Sequence, residues 1–272
     1  NSNSVEGLDT DENNFGGYDA VNRYGDENLS PTINNATDPN AIITTPGLLR
    51  WHRTGYWEKD IVDYDTENLK AAAAFHYMLN PELEFILASN FGTGTTVYQG
   101  DNRFSLKDIL FFQNRIEIRK KDDFFVRAYA TNEDAGNSYD AVLTAFLLQD
   151  AAATDFDWNL RYRQYWSSDI TDRFKDLDPN INWVPQPGVN FEPTFIAIDS
   201  VITANPDSMY TWHAEASDYA NSAYSNWGMS DYFEPGTQRF DSLMADITMK
   251  TSFLEGGSRI EDKSALYHLH GE

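Results

Sequence analysis

The chain has 272 residues, a formal net charge of −23, no cysteine and 14% aromatic residues. The charge argues against nucleic acid as a partner, because binding phosphate needs a basic surface, and the missing thiols exclude disulfides and thiolate metal sites. The length is enough for a large core in one or two domains. No run approaches the roughly 18 apolar residues of a membrane-spanning helix, a test to which the short alternating strands of a β-barrel do not respond.

Residues Asn1 to Gly47 are polar, rich in Asn, Asp and Gly, and read as loop. Asp9-Thr10-Asp11-Glu12-Asn13 resembles the start of a calcium loop, but the sixth position is Asn14 and the twelfth is Ala20, so the match is weak. Asp176-Leu177-Asp178-Pro179-Asn180 is a second acidic trio of the same kind. The chain starts at Asn1 rather than Met, with no visible signal peptide, so a mature or partial chain is expected.

Strands begin at about Glu67. Leu69, Ala71, Ala73, Phe75, Tyr77 and Leu79 share one face; after the turn Asn80-Pro81-Glu82, Leu83, Phe85, Leu87 and Phe91 do the same. A Gly- and Thr-rich link from 92 to 105 leads to Leu110, Phe112, Asn114, Ile116 and Ile118. The charged turn Lys120-Lys121-Asp122-Asp123 follows, then Phe124, Val126, Ala128 and Ala130 alternate with Arg127, Tyr129, Thr131 and Glu133. Phe125 breaks the polar row. Four strands are therefore expected at 67–79, 83–97, 108–119 and 124–133, with short turns at 80–82 and 120–123 and longer links at 98–107 and beyond 133. Two-faced antiparallel strands of this kind suit a soluble sheet packed on a core or a barrel wall between lipid and a polar lumen. Short turns on one side and long loops on the other favour the wall.

After Glu133 the pattern leaves the sheet. Helical spacing appears at Val142, Leu143, Phe146 and Leu147, at about Tyr210 to Ala223, and at Phe240, Leu243, Met244 and Ile247. A hairpin is expected at Asp157 to Trp166, followed by a Pro-rich stretch from Trp183 to Gly188. Alternation returns in Ala265, Tyr267 and Leu269 against Leu266, His268, His270 and Glu272. Five strands do not close a barrel, and open edges cannot sit in lipid, so in the barrel reading the chain is a piece of a larger protein.

Arg53 to Asp60, the run from Ser89 to Ala141, Gly16 to Glu27 and Gly256 to Glu272 resemble segments of TonB-dependent outer-membrane receptors of the type with a carboxypeptidase-regulatory-like domain ahead of the plug. The resemblance is thin between about 150 and 225. It implies an all-β fold: a segment of an antiparallel transmembrane β-barrel of about 22 strands, without its plug, carrying a large extracellular loop with short helices. On this reading residues 1–66 are extracellular loop and strand entry, 67–133 four barrel strands in two hairpins, 134–264 the large loop, and 265–272 the start of a further strand. No plug, TonB-contacting segment or closing aromatic-ended strand is recognisable. The implied function is energy-coupled import of a nutrient across a Gram-negative outer membrane, with the loops extracellular. The implied partners are outer-membrane lipid, the TonB complex through the plug, and a surface lipoprotein.

In that setting Ile116, Ile118, Phe124, Val126, Ala128 and Ala130 would face lipid, while Arg115, Glu117, Arg119, Arg127, Glu133, His268 and His270 would face the lumen. Catalytic motifs are absent: there is no nucleophile elbow, phosphate loop or HEXXH. Glu58, Asp60 and Asp63 lie close in sequence without defining a pocket. His268 and His270 share a face with Glu272, which a metal set or a polar lumen row explains equally at the level of pattern. Trp51, Trp57, Trp183, Trp212 and Trp227 lie outside the four main strands, where aromatics bind ligands, pack the loop or sit at the lipid interface. No cofactor and no enzymatic activity are expected. The alternative is a soluble surface module that binds glycans, and a third reading is a secreted glycan-degrading enzyme.

Overall fold

A computed structural model describes residues 22–26, 44–48, 51–100, 102–183 and 192–272. In chain order the elements are β1 (Arg23–Tyr24), β2 (Tyr56–Trp57), α1 (Glu58–Ile61), β3 (Glu67–Asn80), β4 (Leu83–Gln99), β5 (Arg103–Lys120), β6 (Phe124–Asp134), β7 (Tyr139–Asp140), α2 (Ala141–Ala152) and α3 (Asp155–Tyr165). A π-helical turn (Trp166–Ile170) leads into α4 (Thr171–Asp176), then α5 (Glu192–Ala204), α6 (Pro206–Asn221), a 3₁₀ turn (Ser225–Trp227), α7 (Gln238–Met249) and β8 (Lys263–Gly271). Two compact units form, one from residues 1–60 and 145–240, the other from 61–144 and 241–272.

The second unit is an antiparallel sheet in the order β3-β4-β5-β6-β8, with the short β7 paired to the start of β5. All four main pairings are antiparallel. The hairpin turns follow from local chemistry. Asn80 Oδ1 accepts the backbone N–H groups of Glu82 and Leu83, which pins the first turn. At the second, Lys120 Nζ reaches Asp123 at 2.6 Å, and Asp122 takes a positive φ of 57°.

The link expected at 98–107 is instead mostly strand. β4 runs to Gln99 and β5 restarts at Arg103, joined by a tight turn in which Gly100 N–H donates to Asn102 O at 2.9 Å. The glycines that suggested a break are compatible with pairing, and Thr95, Thr96, Val97 and Tyr98 carry the β-propensity to extend it. At Gly94 a Cβ would stand 2.8 Å from the carbonyl oxygen of Glu67, so a glycine there lets β3 and β4 approach. An extra residue near Lys107–Asp108, where Asp108 has φ 55°, shifts the β4–β5 register between Gly94 and Thr96. The short-turn and long-loop asymmetry therefore rests on the segment between β6 and β8, not on the link between β4 and β5.

The first unit is helical. Thr154 caps α3 by accepting the Asp157 N–H at 3.1 Å, with Asp155 and Asp157 in the first turn complementing the helix dipole. α6 opens on Pro206 and buries Met209, Trp212, His213, Ala216 and Ala220, a helical stripe. Against it pack Trp158 and Tyr162 of α3, Trp166 and Ile170 of the π turn, Phe174 of α4, and Leu48 and Trp51 from the N-terminal segment. Three of the indoles are satisfied: Trp51 Nε1 donates to Asn159 Oδ1 at 2.7 Å, Trp158 Nε1 to Asn221 Oδ1 at 2.8 Å, and Trp166 Nε1 to Pro46 O at 3.0 Å.

This unit corrects two expectations. The hairpin at Asp157 to Trp166 is helix α3 and the following π turn. Trp158, Leu160 and Tyr162 alternate like a strand, but Trp158, Tyr162 and Trp166 also recur every four residues, and packing selects that period, leaving Leu160 exposed. The all-β label describes the sheet alone, since the unit that holds it also carries most of α7. α2, α3, α5, α6 and α7 are 12, 11, 13, 16 and 12 residues long, ordinary rather than short helices. The architecture is an antiparallel sheet together with a packed helical unit. Among the described residues no barrel closes, because β3 and β8 each pair along one side.

Candidate functional site

The site is the sheet itself, defined by its cross-strand rows. Partner residues in an antiparallel ladder point to the same side, so the register sorts every side chain onto one of two faces. One face carries the rows Phe75–Leu87–Ile116–Ala128–Leu269 and Tyr77–Phe85–Ile118–Val126–Gly271. The other carries His76–Ile86–Glu117–Arg127–His270, and Ala74–Ala88–Arg115–Tyr129–His268.

All seven residues expected on a polar face lie on this second side: Arg115, Glu117, Arg119, Arg127, Glu133, His268 and His270. They form networks. Glu117 is only 2% exposed; its Oε2 accepts from Arg127 Nε at 2.7 Å, with Arg115 Nε at 3.8 Å on the other flank. Glu84 takes His76 Nδ1 at 2.7 Å on one oxygen and Arg119 at 2.6 Å on the other. Phe125, which breaks the polar alternation, lies under the Arg127 guanidinium at 5.2 Å and beside the His270 ring at 5.1 Å. His268 stacks on Tyr129 at 5.1 Å and on His270 at 6.1 Å. Glu133 accepts from Ser264 Oγ at 3.5 Å.

Glu84 and His76 were not singled out in the sequence. The signal was there: across the turn at 80–82, His76 and Met78 stand opposite Ile86 and Glu84, and the next hairpin brings Arg119 opposite Glu84.

The first face is apolar and open. Leu69, Phe75, Tyr77, Leu87, Leu110, Phe112, Ile116, Ile118, Phe124, Val126, Tyr267 and Leu269 are all exposed. Its two central polar residues satisfy each other, Ser89 Oγ donating to Asn114 Oδ1 at 2.8 Å. A continuous apolar surface on this scale is an interaction surface, since scattered exposed side chains would not line up row after row.

The other candidates separate. No group of three or more His, Asp or Glu residues suited to hold a metal ion occurs among the described residues; the His268 and His270 rings stack at 6.1 Å. Asp9 to Asn13 lies outside the described residues. Asp178 uses Oδ1 to accept the Asn180 backbone N–H at 3.0 Å, closing an Asx turn. Glu58 accepts the Tyr24 hydroxyl at 2.5 Å, Asp60 pairs with Lys59 at 2.9 Å, and Asp63 pairs with Lys107 at 2.8 Å, so each carboxylate has its own structural partner. Of the tryptophans, Trp51 and Trp212 are core, Trp57 and Trp183 are half-buried, and Trp227 is exposed.

The chain matches no protein-family model, no curated protein and no solved structure.

Proposed function

We propose that the sheet is a portion of the wall of a TonB-dependent outer-membrane transporter, with the apolar face against lipid, the charged face toward the lumen and the loops extracellular. The observation that carries the reading is the segregation of side chains across five strands: exposed apolar rows on one side, and His76, Glu84, Arg115, Glu117, Arg119, Arg127, Glu133, His268 and His270 on the other. The dimensions agree. From Leu69 to Leu79 the strand rises roughly 33 Å, which at a tilt near 40° is about 25 Å, the height of the apolar band of such barrels. The outer edges of β3 and β8 would be completed by further strands, since unpaired backbone is not tolerated in lipid.

The chain on this reading imports a nutrient rather than catalysing a reaction. Force reaches it from the TonB complex through a plug, and a surface lipoprotein is a candidate outer partner. The test is fractionation of cells that make the protein. Recovery in the outer membrane, with release only by detergent and an intact mass near three times 31 kDa, supports the transporter. Recovery as a soluble 31 kDa chain sinks it in favour of a soluble ligand-binding module.

A further inference from the structure

The charged face is not uniform. Towards the end away from the hairpin turns at 80–82 and 120–123 it hollows into a trough of about 760 Å³, within the range of small-ligand sites. The cause is one cross-strand row, Lys70–Gly92–Phe111–Glu133. Gly92 leaves a gap in the middle of that row: a Cβ added there would meet nothing within 4 Å. The gap is floored by backbone and by the exposed ring of Phe111. Asn68 and Asn90 border it with side-chain amides.

The row continues to Ser264 on β8, and its first and fourth members carry opposite charges. Lys70 on β3 and Glu133 on β6 are three strand spacings apart, roughly 14 Å. Lys70 forms no ion pair among the described residues, and Glu133 has only the long contact from Ser264 at 3.5 Å. An apolar, aromatic floor between a cation and an anion is complementary to a zwitterion of that length. An extended chain of four residues spans roughly 13–14 Å between its termini.

We propose that the trough binds a short free peptide of about four residues, laid across the strands over Gly92. Its carboxylate meets Lys70, its ammonium meets Glu133, and an apolar side chain rests on Phe111 between the amides of Asn68 and Asn90. This names the ligand class of the import reading above and rests on it for its biological meaning, though not for the chemistry of binding.

The test is isothermal titration of the natural full-length protein in detergent with three probes. These are an unblocked tetrapeptide carrying phenylalanine at its second position, the same peptide acetylated and amidated at its ends, and maltotetraose. The unblocked peptide is expected to bind, end-blocking to weaken it at least tenfold, and maltotetraose to give no binding. Lys70→Gln should lower affinity for the unblocked peptide part of the way to that of the blocked one, because the ammonium still meets Glu133. Gly92→Leu should abolish binding while leaving the thermal unfolding curve in place, because the added side chain fills open space. Equal affinity for blocked and unblocked peptide, tighter binding of maltotetraose, or unchanged binding by Gly92→Leu would each overturn the assignment. Peptide binding by a protein found in the soluble fraction would remove the transporter reading and leave this one standing; a membrane-bound protein with no peptide binding would do the reverse.

Discussion

Replacing Ile116 by arginine separates a lipid-facing wall from a sheet in water. Ile116 is 50% exposed and sits mid-row, with Leu87 and Ala128 on either side and Phe75 and Leu269 beyond them. It lies four residues from Lys120 at the strand end, about 13 Å along the strand and about 10 Å in depth at a 40° tilt. That places it near the middle of an apolar band about 25 Å tall, where an arginine costs about 2–4 kcal/mol. At about 1.4 kcal/mol per tenfold, the folded population falls by roughly 30- to 1000-fold relative to unfolded chain. On the surface of a soluble sheet the same change costs within about 0.5 kcal/mol. The assay is reversible folding into lipid vesicles across a denaturant series, alongside the yield of assembled protein in the outer membrane. Ile118→Arg, two residues nearer the turn, is expected to cost less than Ile116→Arg, because the penalty decays toward the interface. Glu117→Gln, on the charged face and still able to accept from Arg127, should assemble better than either arginine variant. A cost for Ile116→Arg below about 0.5 kcal/mol, or no gradient between the two positions, would refute the lipid-facing assignment.

Three further outcomes are expected. His213 is buried, with Nδ1 2.5 Å from the Tyr162 hydroxyl, and burial depresses its pKa to about 3. Its folded pKa lies below the ordinary 6.5, so the stability it contributes is present above pH 6.5 and is lost by about 1.4 kcal/mol per pH unit as pH falls toward 3; near-UV circular dichroism melts should show this slope in native protein and a flatter one in His213→Gln. Gly94→Val should destabilise the sheet by about 1–3 kcal/mol, since its Cβ meets the Glu67 carbonyl at 2.8 Å, while Gly92→Ala should be neutral or gain about 0.5–1 kcal/mol; equal effects in denaturant titrations would contradict the strand geometry. Thr154→Ala should cost about 1 kcal/mol by uncapping α3 and Thr154→Ser should restore most of it, read from urea unfolding of the helical unit.

How much was legible in the sequence differs between the two units. The alternation in 67–80 and 124–134 reports the faces directly, because on a strand the side of a residue depends only on whether its number is odd or even. Arg115, Glu117 and Arg119 were therefore placed together before any pairing was known, and so were His268 and His270. The same local rule fails where glycines sit inside a strand, as at Gly92 and Gly94. It also fails where an aromatic-rich helix imitates alternation, as at Trp158 to Tyr162. In both cases the deciding contacts come from residues far away in the chain.

The sequence by itself determined the charge, the lack of thiol chemistry, and which residues of each strand share a side, since these follow from composition and from the two-residue period of an extended chain. Only the tertiary structure decided that β8 pairs with β6 across more than a hundred residues, and that His76, Glu84 and Arg119 form one cluster. It also decided that Lys70, Gly92, Phe111 and Glu133 from four strands make one row. Register is set by the sum of many non-local pairings, and no short stretch of the chain carries that sum.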